Sequence, residues 1–299
     1  MLLADAFDKY VEKNKKDIFN ENKKNGVPSV EKKLEKDDKQ KKSTLKPNIG
    51  WLFYKDYFSS LDEKDYELML LTKEEKKQKE KEIKDLESKI NVKVLNIINK
   101  ILKPLNIEDL GNSSFTLKTT YPGLLIGSGY SHELPDIKGQ AILGFNFDYT
   151  SGLPLIAGGS IKGLLRSAFE YQEYIIELLE KQKIRIDNIK DLEVEIFGQE
   201  NKSDNVEQGN DIFFDASIIK GNDNRKILAD DYITPHKEAI KNPIPLRFLK
   251  VLPGVTFKFQ FLLKDGIIKK EQKLELFKEI ILDLGIGSKT NVGYGKFQE

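Results

Sequence analysis

Gly285-Ile286-Gly287-Ser288-Lys289-Thr290-Asn291-Val292-Gly293-Tyr294-Gly295 is the stretch on which the fold of this chain is read. It contains two Gly-apolar-Gly steps separated by five residues. Glycine admits positive φ and lets a second backbone come close, so four glycines in eleven residues predict a shaped loop. Ser288, Lys289, Thr290 and Asn291 between them are hydrogen-bond donors, one of them a cation. Bare backbone N–H groups beside a lysine suit a phosphate backbone. A helix C-cap accounts for Gly285. It leaves the Gly293-Tyr294-Gly295 step unexplained. A nucleotide P-loop is excluded, because that loop ends in Gly-Lys-Ser/Thr and opens a helix, whereas this one closes a helix.

Upstream, residues 270–284 are predicted to be a helix with Leu274, Phe277, Ile281 and Leu284 inward, and Phe297 lies in a short last strand. Residues 244–251 and 255–261 alternate as a strand pair through Pro253-Gly254. Asp211-Ile212-Phe213-Phe214-Asp215-Ala216 and Val194–Gly198 are read as strand ends around a polar loop, and 231–236 as irregular. The run Ser151-Gly152-Leu153-Pro154-Leu155-Ile156-Ala157-Gly158-Gly159-Ser160-Ile161-Lys162-Gly163-Leu164-Leu165-Arg166 predicts a turn, a short strand, a Gly158-Gly159 approach and a helix N-capped by Ser160. Lys162 and Arg166, four apart on its flank, with free helix-end N–H groups, outline a phosphate site. A second glycine-bearing loop, Gly127-Ser128-Gly129-Tyr130-Ser131-His132-Glu133, follows a strand at 115–119, and another strand is expected near Ile142, Phe145 and Phe147.

Before Gly111 the texture differs. Residues 1–20 have near-helical apolar spacing, and 20–46 are almost wholly polar. Trp51, Phe53, Tyr54, Tyr57 and Phe58 form an aromatic cluster, read as a satellite core in preference to a base-stacking platform. A long helix is expected over 72–102, with Ile83, Leu86, Ile90, Val94, Ile97 and Ile101 as one stripe and Val92, Leu95, Ile98 and Leu102 as a second. The chain thus divides into a helical, Lys-rich N-terminal extension (1–111) and an α+β domain (112–299).

Composition bounds the function. The 49 Lys+Arg against 48 Asp+Glu leave no global nucleic-acid signal, so a basic surface must be local. With no cysteine and two histidines, Cys-ligated zinc is excluded and a His-based metal site has little to draw on. No apolar run spans a bilayer, and no secretory signal is visible, so a cytoplasmic protein with no membrane partner is expected.

Strands, a crossover helix, more strands, a second helix and a last strand suggest helices packed on a ferredoxin-like, RRM-like sheet, an RNA-binding scaffold. The stretch 153–166, the Phe213–Ala216 strand, the Thr234-Pro235-His236 turn with 243–249, and the glycine loop follow the order seen in the RAMP superfamily of CRISPR RNA-binding proteins. The middle two, with the glycine loop, look like the sixth-subunit family of the type III-B effector, the Cmr complex. The resemblance covers roughly 113–297. It departs at Ala157-Gly158, where the family shows Ile/Pro-Gly-Ser-Ser.

The resemblance implies a non-catalytic subunit that binds crRNA near its 3′ end, alongside complementary target RNA. It would contact the backbone RAMP subunit and the neighbouring end-cap subunit, with no cofactor and no metal, in antiviral defence. The RNA contacts expected are Gly127, Gly129, Tyr130 and His132 in one loop, Gly158, Gly159, Ser160, Lys162 and Arg166 at the helix entry, and Gly285, Gly287, Ser288, Lys289, Thr290, Asn291, Gly293 and Gly295 in the other. The alternative is a RAMP endoribonuclease using His132 or Asp136. An adaptor with no RNA contact is a third reading. His236 is expected to be structural.

Overall fold

The computed structural model describes residues 48–200, 206–234 and 245–299. The expected helix over 1–20, the polar run 20–46, Pro235 and His236 lie outside them. From Pro47 onward the chain is one compact unit. Gly111 is therefore no boundary of packing: Phe53, Tyr57, Leu86, Ile90, Val94 and Ile97 share one hydrophobic core with Leu117, Ile161, Phe257 and Phe277.

A helical segment at residues 49–59 contains a π-helical turn, Leu52–Asp56. Helices α1 (Glu63–Leu70) and α2 (Lys73–Gln78) each open on a capping box, Asp62 with Asp65 and Thr72 with Glu75. Helix α3 (Glu80–Ile98) follows after a break at Lys79, so the expected 72–102 helix is two helices. Leu86, Ile90, Val94 and Ile97 are its buried face. At about 1.5–3 kcal/mol for each fully buried side chain, that stripe is what fixes α3; Val94→Asp, at a position with no exposure, would break it. The second expected stripe is buried only at its end: Val92 and Leu95 are exposed, Ile98 is half-buried and Leu102, past the helix, is in the core.

Strand β1 (Ser113–Thr119) leads through a long irregular stretch to β2 (Leu155–Ile156), α4 (Gly158–Ala168), α5 (Gln172–Lys181) and α6 (Ile189–Phe197). The expected strand near 142–147 makes only isolated bridges, Ser131 with Leu143 and Phe147 with Pro154. Of residues 194–198, read as a strand end, Gly198 opens the next strand and 194–197 belong to α6. Its Ile189, Leu192, Ile196 and Phe197 are buried at helical spacing behind an Asn188 cap. The short β3 (Gly198–Glu200) and β4 (Val206–Gln208) pair with each other. Strands β5 (Ile212–Phe213) and β6 (Ala216–Lys220) are one strand interrupted at Phe214-Asp215. Then come β7 (Leu228–Ile233), β8 (Leu246–Val251), β9 (Thr256–Leu262), α7 (Lys270–Leu284) and β10 (Phe297–Gln298).

The main sheet runs β10-β1-β9-β6-β2, with β5 also on β9, and its pairs are antiparallel. The fold is thus α+β. The expected hairpin at 244–261 does not exist: β8 pairs with β7 in a separate ribbon, while β9 pairs with β1 and β6. The chain leaves the ribbon at Leu252, whose N–H reaches Ile227 O (2.8 Å), and joins the main sheet at Gly254, whose N–H reaches Thr119 O (2.8 Å). The 231–233 stretch, expected to be irregular, is the end of β7.

Phe257, Phe259 and Phe261 of β9 are fully buried, and Phe261 packs on Phe277 of α7. The alternate residues Lys258 and Gln260 point to the other face. They are covered too: Lys258 Nζ bonds Ile107 O (3.1 Å) and pairs with Asp109 (2.7 Å), and Gln260 accepts Leu110 N–H (3.0 Å). An RRM-type surface needs an open sheet face for base stacking. The segment ending at Gly111 occupies this part of it.

Candidate nucleic-acid interface

The glycine loop is built on the chain it lies against. Helix α7 ends where Gly285 N–H caps Ile281 O (2.9 Å). Ile286 N–H reaches Gly295 O (2.9 Å), closing the loop on itself. Ser288 N–H bonds Leu125 O (2.9 Å), and Gly295 N–H bonds Gly123 O (2.8 Å). Gly287 and Gly295 have φ of 97° and 71°. A Cβ on Gly287 would lie 2.3 Å from Leu125 O, and one on Gly295 2.0 Å from Ile286 O. Gly285, Gly287 and Gly295 are therefore required by backbone-on-backbone contact, and Gly293 by its positive φ alone.

Tyr294, between the last two glycines, is a tether. Its hydroxyl donates to Asp231 of β7 (2.8 Å), and Lys250 of β8 pairs with the same carboxylate while lying over the Tyr294 ring. Burial pushes the Asp231 carboxyl up; Lys250, the Tyr232 N–H and the Tyr294 hydroxyl outweigh it and hold it below the usual range. Burial, then Asp231, raises the Tyr294 pKa, so the phenol stays a donor.

Three segments distant in sequence meet at one open groove of about 770 Å³. The first loop contributes Leu125 to Tyr130, with Asn146 nearby. The helix entry contributes Ile156, Ala157, Ser160 and Leu164. The C-terminal loop contributes Leu284 to Ser288, and Thr290. Of the expected contacts, Gly127, Gly129, Tyr130, Ser160, Gly285, Gly287, Ser288 and Thr290 thus share one wall. The hydroxyls of Ser128 and Ser288 hydrogen-bond across it. Among the described residues, the backbone N–H groups of Gly127, Ser128, Gly129 and Gly287 have no intramolecular acceptor. An anion in the groove would find unpaired donors among its lining residues.

Several expectations are corrected. Ser160 is not the N-cap. Helix α4 starts at Gly158 behind Ala157, and Gly158 N–H is capped by Asp215 Oδ1 (2.7 Å), from the break between β5 and β6. That carboxylate already sits at the helix's positive end and weakens it as a phosphate site. Gly158 is buried against Phe213 O, whereas Gly159 faces open space. The cations do not line the groove. Arg166 turns to Glu193 of α6 (Nε–Oε1 3.6 Å). Lys289 lies between the lining residues Ser288 and Thr290, Lys162 lies on the helix turn between Ser160 and Leu164, and neither makes an ion pair among the described residues. Lys289 is left-handed, φ 62°. Asn291 is exposed, with Gly293 at the next bend.

His132 is not on the surface. It is 4% exposed, stacks on Phe53 with centroids 3.7 Å apart, and touches Tyr57 and Phe58. Its two ring nitrogens lie 2.9 Å from Ala141 O and Phe53 O. Burial draws its pKa below the usual histidine value, against the pull of the two carbonyls. Neutral imidazole donates to only one of them. Asp136 is exposed and paired with Lys76 Nζ (2.9 Å), away from the groove-lining residues. Among the described residues no cluster of metal-ligating side chains occurs, and no helix is long and apolar enough to cross a membrane.

Two features escaped sequence reading. Asp215 lies inside a segment singled out as a strand, and its carboxylate at a strand break was the available signal. Lys273, which no motif singled out, is fully buried between Asp211 (2.9 Å) and Glu195 (2.8 Å). It pins the β9–α7 connection, because those acids also accept Lys264 N–H and Ile267 N–H.

The RAMP superfamily model matches residues 116–298, more than half of the chain, and the chain belongs to that superfamily. Among characterised relatives it resembles the CRISPR system CMR subunit Cmr6 of Saccharolobus solfataricus, 30% identical over 160 residues that make up 52% of this chain and 48% of the relative. It also resembles the CRISPR system Cmr subunit Cmr6 of Pyrococcus furiosus, 32% identical over 130 residues, 38% of this chain and 36% of the relative. The chain thus aligns with less than half the length of either. Among solved structures, a chain of the type III-B Cmr-beta bound to cognate target RNA aligns at TM-score 0.48 with 24% identity, covering 83% of this chain and 84% of that one. Cmr6 from Pyrococcus furiosus aligns at TM-score 0.43 with 23% identity, covering 62% and 97%.

Proposed function

We propose that this chain is a non-catalytic crRNA-binding subunit of a type III-B CRISPR effector complex, working in the cytoplasm in antiviral defence. In this reading it sits near the 3′ end of the guide, where guide and target RNA pair. It caps the filament against the backbone RAMP subunit and the neighbouring end-cap subunit, and it needs no cofactor. The observation that carries the reading is the groove. Three glycine-bearing segments, far apart in sequence, converge there with unfilled N–H donors and hydroxyls in their lining, and Lys289 lies between two of the lining residues. Donors of that kind hold a sugar–phosphate backbone without reading bases. Superfamily membership and the two Cmr6 relatives support the same assignment.

We read the scaffold as ferredoxin-like. The order β10-β1-β9-β6, with α4 between β1 and β6 and α7 between β9 and β10, is the order of a βαββαβ sheet. The RNA surface then lies on its loops and helix entry, since the sheet face is occupied at Lys258 and Gln260. A non-catalytic role fits a buried His132 and a lysine-paired Asp136.

The test uses the purified full chain with guide RNA and complementary target RNA, with and without Mg²⁺. RNA retained and left intact is the expected result. Metal-dependent cleavage lost in Asp136→Ala would establish the endoribonuclease instead. Absence of RNA binding would leave the adaptor reading.

A further inference from the structure

A second cleft of about 370 Å³ lies beside the groove and is walled by Trp51, Tyr54, Phe147 and Tyr149, with Lys55 and Asp148 also lining it. Its rings are presented, not packed: Trp51 is 47% exposed, Tyr54 49% and Tyr149 99%. They stand on a fixed floor. The Tyr54 hydroxyl donates to Phe145 O, and its ring meets Phe147 edge-on at 5.8 Å. Gly50 N–H bonds Gly152 O (3.0 Å), and Trp51 N–H bonds Asn48 Oδ1 (2.7 Å).

We propose that this cleft is a stacking site for one unpaired RNA base, continuing the glycine groove. The proposal rests on the RNA-binding reading of that groove. Continuity is given by the chain itself: Asn146 lines the groove and Phe147, the next residue, lines the cleft. Tyr130 at the groove is near enough to Tyr54 to add to the rise of its pKa, second to burial. The wall is flat π surface, and base–aromatic stacking tolerates any base. Lys55 makes no ion pair among the described residues and is available to the flanking phosphate. Asp148 Oδ1 is held by Thr150 Oγ1 (2.7 Å) and Ser151 N–H (2.6 Å), which leaves Oδ2 to accept from a base amine or imino N–H. An aliphatic helix of a partner protein would find no aliphatic side chain in this cleft. Trp51, Tyr54 and Lys55 lie outside the residues matched by the superfamily model and Phe147, Asp148 and Tyr149 inside them, so the site joins this chain's N-terminal part to the superfamily domain.

Trp51 is the sole tryptophan of the chain, so its fluorescence reports on the cleft. The experiment titrates the full chain against end-labelled single-stranded RNA, and against the same RNA carrying abasic nucleotides, reading affinity from the anisotropy of the RNA label and quenching wherever Trp51 is kept. It uses wild type, Trp51→Leu and Tyr149→Ala, with thermal melting as the check on folding. The expected result is quenching of Trp51 by the intact RNA. Affinity should fall about tenfold for the abasic RNA and in each variant, and the variants should no longer distinguish the two RNAs. RNA binding without quenching, with variants equal to wild type, would overturn the stacking site and leave the groove standing. No RNA binding by wild type would overturn both. Variants that keep RNA binding but lose a co-purifying protein would show the cleft to be a protein interface and overturn the proposal.

Discussion

The two glycine loops look alike in sequence and behave in opposite ways. Gly127–Glu133 turns its imidazole inward: His132 is buried among Phe53, Tyr57 and Phe58, while Tyr130 stays exposed. Gly285–Gly295 keeps Ser288, Lys289 and Thr290 half-exposed, buries Ile286 in the core and ties Tyr294 to Asp231 of the ribbon. Glycine spacing announces a loop, and what packs against that loop decides where its side chains go. For the first loop the decisive partner is the helical segment at 49–59, some eighty residues upstream. For the second it is the β7–β8 ribbon.

The contrast predicts unequal losses. His132→Ala removes a stacked ring and two carbonyl contacts from the core, so denaturant unfolding should show a loss of about 3 kcal/mol or more. A loss below about 1 kcal/mol would mean that the loop is not anchored through this ring. The same residue sets a pH dependence. Its folded pKa is depressed, so its contribution is complete above the unfolded value, about 6.5. It is lost as pH falls from there through the folded pKa. Melting temperature should drop on acidification below about pH 6.5, and more steeply in wild type than in His132→Phe.

Within the C-terminal loop the glycines should rank by what a Cβ meets. Gly295→Ala drives a methyl to 2.0 Å from Ile286 O at positive φ and should cost about 2–3 kcal/mol. Gly293→Ala meets only Pro122 Cδ at 3.5 Å and should cost about 1 kcal/mol, from backbone strain alone. Equal melting temperatures for the two variants would break the ranking. Tyr294→Phe keeps the ring and loses one hydrogen bond to Asp231. The expected cost is about 1 kcal/mol, read by denaturation, with a few-fold weaker RNA binding if the tether pre-sets the groove.

Local pattern made the glycine loop, β1, α7 and the existence of a helix after Gly158-Gly159 legible, because each carries its own punctuation: paired glycines, alternation, or an apolar stripe. Partner choice was not legible. β8 and β9 read as one hairpin, since their alternation is the same whichever strand they pair with. The Val194–Gly198 run read as a strand because its helical face becomes visible only with Ile189 and Leu192 included. At the site, glycines and hydroxyls were found from spacing, whereas Arg166 and His132 were misplaced. A charge or a ring is drawn by neighbours distant in sequence, here Glu193 and Phe53, and one chain read in order does not display them.

The central claim is that the groove, and not a basic patch at large, meets the RNA backbone. A salt series of guide-RNA affinity for wild type, Lys289→Ala and Arg166→Ala tests it most directly. Lys289 lies unpaired between two groove-lining residues, so Lys289→Ala should weaken binding and flatten the log–log salt slope by about 0.7, the value for one phosphate contact to a single strand. Arg166 is turned to Glu193, so Arg166→Ala should leave both affinity and slope as in wild type. The contradicting result is a slope unchanged in Lys289→Ala, or flattened as much in Arg166→Ala as in Lys289→Ala.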